Sequence, residues 1–201
     1  VWVASVAGDT FEQALAAQTR ARWAVEPWFA RSSASAAGLT NSYAEPERMG
    51  VDRWLAMLAA WRQASGAVCV VQAGSALTID FVAASGEHCG GYILPGLDSM
   101  QRALLNDTDR VRFASATAQT LEPGRSTADA VHRGLLLSQV GAVALALERM
   151  AHTGAVVFAG GNGESLAAAL DREDAVLVPA LVLDGLHLLA VAEGRLSEVP
   201  T

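Results

Sequence analysis

Three short apolar runs, Val68 to Val71, Ala76 to Val82 and Gly91 to Leu94, follow one another with only glycine and small-residue turns between them. Connections that short leave no room for a crossover, so the runs can pair only as an antiparallel meander. The pattern then changes period. A helical stretch from about Ser126 to Ala151 leads into a strand at Val156–Phe158, a Gly160-Gly161 turn and a helix over Leu166–Leu170. A strand at Ala175–Val178 and an apolar helix over Leu183–Ala192 complete it. Strands mixed with crossover helices place the chain in the α/β class.

Upstream of the meander the elements are sparser. Val1 to Val6 reads as a strand, Asp9 as the cap of a helix carrying Phe11, Leu15 and Ala16, and Trp23-Ala24-Val25 as a second strand. Ser32 to Gly38 is small and polar, a loop by composition. From Val51 the positions Val51, Leu55, Leu58 and Trp61 recur at helical spacing as far as Gly66. A strand, a helix, a strand and a loop cannot cover a sheet on both faces, so residues 1–65 are expected to be an incomplete first lobe and 66–201 a second. A chain that opens inside a strand is expected to lack an upstream segment.

Charge and composition exclude several classes. A net charge of -7 gives no attraction to nucleic acid or anionic lipid. All fourteen basic residues are arginine, which rules out a lysine-dependent phosphate loop and Schiff-base chemistry. Cys69 and Cys89 stand singly in apolar runs and are expected to be small buried hydrophobes of a reducing cytosol. No uninterrupted apolar stretch approaches the ~18 residues of a membrane span. The four histidines make no metal-binding spacing.

Five segments have a pattern that suits chemistry, each with a plainer structural reading beside it. In Gln72-Ala73-Gly74-Ser75-Ala76 a tight turn of tiny residues would leave backbone N–H groups open to phosphate oxygens; it is also an ordinary hairpin. Asp52 and Arg53 follow Gly50 and Val51 at a helix start. The acid there suits the dipole, while arginine gains nothing from it and hints at a pocket wall. Gly90-Gly91-Tyr92-Ile93-Leu94-Pro95-Gly96 lets backbones approach before a helix near Leu97. Ser126 or Thr127 can cap the long helix, and Phe158-Ala159-Gly160-Gly161 runs a strand into a glycine turn.

Taken in order, Tyr43, then GxDRW, GSAxTxD, GGYIxPG, an ST-A helix start and FxGG, the chain resembles the type III pantothenate kinase family along nearly its whole length. That resemblance implies actin-like ATPase (ribonuclease H-like) lobes and phosphorylation of pantothenate by ATP, with Mg2+ and a monovalent cation (K+ or NH4+), in a cytoplasmic homodimer. It implies Asp52 as general base on the pantothenate hydroxyl. Tyr43, Gly50, Val51, Arg53 and Thr127 would line the substrate pocket, and Gly74, Ser75, Gly160 and Gly161 the nucleotide. Two departures stand out. The family's Asp-x-Gly-Thr hairpin is here Gln72 to Ser75, so a neutral amide replaces the cation-holding aspartate and should weaken that site. The family's first glycine turn, which binds the ATP phosphates and magnesium, has no counterpart in these residues. Both departures suit the runner-up, a non-catalytic binding or regulatory relative; the joint retention of Tyr43, Asp52, Arg53 and Thr127 speaks for the enzyme.

Overall fold

The computed structural model describes residues 1–107 and 120–195. It divides into two compact units, Val1–Gly66 with Val82–Gly90 and Ala180–Thr201, and Ala67–Phe81 with Gly91–Pro179. The first break falls beside the boundary expected at residue 65. The expected second lobe, however, gives up the Val82–Gly90 turn and the chain from Ala180 to the first unit.

In the first unit, strand β1 (Trp2–Val3) runs parallel to β2 (Trp28–Phe29), joined by helix α1 (Asp9–Trp23). Gly8, not Asp9, takes the cap position, and Asp9 instead complements the helix dipole from the first turn. The strand expected at Trp23–Val25 is absent. Arg20 and Arg22 carry the helix on through Trp23, and Ala24, at φ 53°, closes it by donating to Arg20 O at 2.9 Å. The polar stretch after it holds a small hairpin of β3 (Ser35–Ala36) and β4 (Leu39–Thr40).

Helix α2 (Val51–Ala64) is the core of this unit. Its periodicity suggested one apolar face, yet Trp54, Leu55, Ala56, Met57, Leu58, Ala59 and Ala60 are all fully buried. A helix covered nearly all round is an interior helix, each large side chain contributing about 1.5–3 kcal/mol of burial. Helix α6 (Leu181–Ala192) lies along it, close enough that Gly185 meets the backbone of Leu55.

The second unit is built on a sheet of order β7-β6-β5-β8-β9. Its strands are β5 (Val68–Ala73), β6 (Ala76–Val82), β7 (His88–Pro95), β8 (Ala155–Ala159) and β9 (Ala175–Leu177). The short turns make β5, β6 and β7 the expected antiparallel meander. β8 pairs parallel with β5, from Val68↔Ala155 to Gln72↔Ala159, and β9 parallel with β8. Helices α3 (Leu97–Asp107), α4 (Thr127–Arg149) and α5 (Gly163–Leu170) complete the unit. Counted along the chain, the order is 3-2-1-4-5, three antiparallel strands followed by two parallel ones, the arrangement of an actin-like lobe. Cys69, Val71, Leu77, Ile79 and Phe158 from the sheet pack with Leu136, Val140, Val143 and Leu147 from α4.

Burial, with the charge of Asp80 nearby, pushes the Cys69 thiol far above its ordinary range, so it behaves as a hydrophobe. Cys89 is exposed, contrary to the expectation of two buried thiols. Helix α4 is long and apolar enough to cross a membrane by length and composition alone. Its Leu136, Val140, Val143 and Leu147 are buried in the core just described, and core helices pass the same test.

A methyl at Gly185 would strike the Leu55 carbonyl, and neither helix backbone can yield cheaply. Gly185→Ala should therefore lose about 1–3 kcal/mol in denaturant unfolding. An equal or higher midpoint would mean that α2 and α6 are not in backbone contact.

Candidate functional site

The first unit gathers Tyr43, Gly50, Val51, Asp52 and Arg53. A 3-10 turn at Pro46–Arg48 delivers the chain to Gly50, which takes the N-cap of α2 with no side chain to satisfy the helix's open N–H groups. Asp52, half-buried in the first turn, supplies what Gly50 lacks: its Oδ1 accepts from the Arg53 N–H at 2.9 Å. The carboxylate thus folds back over Gly50, where a Cβ would sit 2.7 Å from Oδ1. Any larger residue at position 50 would push the carboxylate off its own helix end.

Arg53 is buried, with 4% of its surface exposed, although it lies where the helix dipole disfavours a cation. It is held by aromatic and hydrogen-bond contacts. Nη1 donates to the Tyr43 hydroxyl at 2.9 Å, and the guanidinium stands 5.7 Å from the Tyr43 ring centroid. Tyr43 is in turn fixed by an Asx turn, its N–H donating to Asn41 Oδ1 at 3.0 Å, while Asn41 Nδ2 donates to Pro46 O at 3.3 Å. Carboxylate, guanidinium and phenol therefore form one connected group on a buried helix start. Val51, the other residue of the run, is buried beside them.

A second group lies in the second unit, at the carboxyl ends of the parallel strands β5 and β8, the end where α/β sheets take their ligands. β5 ends in the Gly74-Ser75 turn and β8 in Gly160-Gly161, and the two turns are bonded: Asn162 N–H donates to Ala73 O at 2.9 Å. Gly160, at φ 87°, approaches so closely that a Cβ would lie 2.5 Å from Ala73 O. From the other side, Gly96 N–H and Ser99 Oγ donate to Ser75 O at 3.1 and 3.3 Å. A Cβ on Gly96 would stand 2.7 Å from the same oxygen. The three glycine segments, scattered along the sequence, are one clamp on residues 73–75.

One expectation changes here. The Gly74 N–H is not open to a phosphate but donates within the hairpin to Ala76 O at 2.9 Å. What the turn presents is the exposed Ser75 and the exposed glycine pair 160–161. Gln72 is half-buried at the end of β5, in register with Ala159. At α4 the structure decides between the two hydroxyls: Ser126 Oγ accepts from Asp129 N–H at 3.1 Å, so Ser126 is the cap, and Thr127 is exposed in the first turn.

His88 was passed over in the sequence because it is isolated there. It is almost wholly buried, 1% exposed, with Nδ1 2.9 Å from Ser42 Oγ and its ring centroid 6.1 Å from that of Tyr43. A lone histidine between a turn and a GG strand gives no spacing signal that could have found it.

The sheet order and the clamped turn define an α/β protein of the actin-like ATPase class. The family profile for type III pantothenate kinase matches residues 1–149. A type III pantothenate kinase from Ectopseudomonas mendocina is 42% identical over 192 residues, 92% of this chain and 77% of that one. Another, from Alcanivorax borkumensis, is 41% identical over 197 residues, covering 96% and 79%. A solved structure from Campylobacter jejuni, assigned to the Baf family of transcriptional activators, superposes with a TM-score of 0.58 at 26% identity, over 79% of this chain and 71% of that one. The chain belongs to the type III pantothenate kinase family.

Because Gly160 combines a positive φ with contact to Ala73 O, Gly160→Ala should force the two turns apart. Expected is a loss of about 2 kcal/mol or more in unfolding free energy. An unchanged midpoint would mean that the clamp is slack.

Proposed function

We propose that this protein phosphorylates pantothenate with ATP, giving 4'-phosphopantothenate and ADP at the opening step of coenzyme A synthesis. The observation that carries the reading is the connected Tyr43–Arg53–Asp52 group at the start of α2, in a chain whose family is the type III pantothenate kinases.

Phosphoryl transfer asks mainly for positioning and charge neutralisation. In this reading Asp52 accepts the proton of the pantothenate primary hydroxyl as that oxygen attacks the γ-phosphorus and the bond to ADP breaks. Holding one carboxylate oxygen on the Arg53 N–H fixes the group's direction without a flexible loop. Tyr43, its oxygen accepting from Arg53, keeps a phenolic proton to donate to substrate. Gly50 and Val51 shape the pocket wall and Arg53 supplies positive charge; Thr127, exposed in the first turn of α4, is assigned a substrate contact on the family resemblance alone. For ATP, the Ser75 hydroxyl meets a phosphate oxygen, Gly74 leaves the turn's surface clear beside it, and the flat Gly160-Gly161 surface takes the adenosine.

Among the described residues no group of three or more His, Cys, Asp or Glu could hold a metal ion. Mg2+ would be carried chiefly by nucleotide phosphates and water and would neutralise developing charge there. A monovalent cation would find at Gln72 only a neutral oxygen. We assign the reaction to the cytoplasm and to a homodimer. The dimer is supported by the apolar groove of about 300 Å³ between β7 and α4, where Tyr92, Ile93 and Leu145 are exposed.

Asp52→Asn keeps the side chain's shape and its bond to the Arg53 N–H but removes the base. In a coupled ADP-release assay kcat should fall about a hundredfold or more, with pantothenate binding retained. Full activity in the variant would remove Asp52 from its role. Pantothenate binding without turnover in the unaltered chain would favour a non-catalytic relative, the reading to which Gln72 lends weight. Turnover should also differ by less than about twofold between potassium and tetramethylammonium salts, since Gln72 brings no charge. Steep potassium activation would contradict this.

A further inference from the structure

We propose that His88 is a positioning residue for the pantothenate pocket, acting through Ser42 and Tyr43; the inference rests on the reading of that pocket given above. Tyr43 lies on a short exposed connection between β4 and α2, and such connections are mobile unless tied down. Besides the Asn41 turn, two side chains tie it down. One is Arg53, from the helix side. The other is His88, whose Nδ1 meets Ser42 Oγ at 2.9 Å and whose ring lies 6.1 Å from the phenol at a 38° tilt.

The footing of His88 is firm. The turn before it is closed by Gly86 N–H to Ala83 O and Ala83 N–H to Glu87 O, at 2.9 and 2.8 Å. Thr40 N–H donates to Gly86 O at 2.8 Å, and Thr40 bridges Glu87, immediately before the Asn41–Tyr43 turn. So the segment that carries His88 is bonded to the residue from which the Tyr43 turn departs. A buried imidazole is costly to place without partners, and here its Nδ1 is partnered by the turn that carries Tyr43. Nothing in the phosphoryl transfer itself requires it.

The distances give His88 a specific effect. Its contacts with Ser42 and Tyr43 act on the substrate-lining side chain, so its removal should loosen Tyr43 and weaken pantothenate with little change in the chemical step. Expected for His88→Leu is a rise in pantothenate KM of about tenfold with kcat within about twofold. His88→Asn places a polar atom where Nδ1 stands and should restore KM to within about threefold of the unaltered protein. Ser42→Ala removes the other half of the bond at an exposed position and should raise KM in the same direction.

The test is steady-state ADP release with pantothenate varied at saturating ATP, beside pantothenate titration calorimetry and thermal melts of each variant. If His88→Leu fails to fold, Ser42→Ala and His88→Asn carry the comparison. KM unchanged in folded His88→Leu, or in Ser42→Ala, overturns the proposal, as does a fall in kcat at constant KM. An unaltered chain that neither turns over nor binds pantothenate overturns instead the function on which it rests.

Discussion

The start of α2 is the constraint from which the first unit follows. A helix buried nearly all round leaves its first N–H groups little water, and Gly50 has no side chain to cap them. Asp52 meets the need by turning its carboxylate back onto the Arg53 N–H. That bond orients the acid, and the glycine that lacks a cap is what leaves it space. Arg53 is then carried into the interior and settles on Tyr43. The arrangement of carboxylate, guanidinium and phenol is a consequence of finishing a buried helix, which is why it can be rigid.

The second unit solves a similar problem with backbone alone. Residues 73–75 are gripped by Asn162 on one side and by Gly96 and Ser99 on the other. The Ala73 and Ser75 carbonyls are satisfied by these neighbours, and Gly160 and Gly96 are glycines because a Cβ would meet the turn's carbonyls. The turn therefore offers hydroxyl and flat surface to a ligand in place of open amides. A serine in place of threonine at its tip keeps the hydroxyl; a glutamine in place of aspartate at its base gives up charge.

Most of the second unit was legible because period and turn chemistry agree there. β6 falls where the apolar run from Ala76 to Val82 put it, and the break between β5 and β6 where the small-residue turn put it. The first unit was read less well for physical reasons. α2 looked amphipathic from Val51, Leu55, Leu58 and Trp61, whereas Trp54, Ala56, Met57, Ala59 and Ala60 are core as well. Trp23-Ala24-Val25 looked extended, but a left-handed Ala24 ends the preceding helix there. At the site, the order of motifs revealed the family and the run around Asp52. It could not reveal that three glycine segments share one turn, or that His88 stands behind Tyr43. Those depend on pairings between residues far apart in the chain.

Backbone amide shifts would test the central assignment, that pantothenate meets the start of α2 while nucleotide meets the clamped turn. On titration with pantothenate, the amides of Tyr43 and of Gly50 to Arg53 should move. On titration with a non-hydrolysable ATP analogue, those of Gly74, Ser75, Gly160 and Gly161 should move. Pantothenate shifts that leave residues 50–53 untouched and gather elsewhere would contradict it.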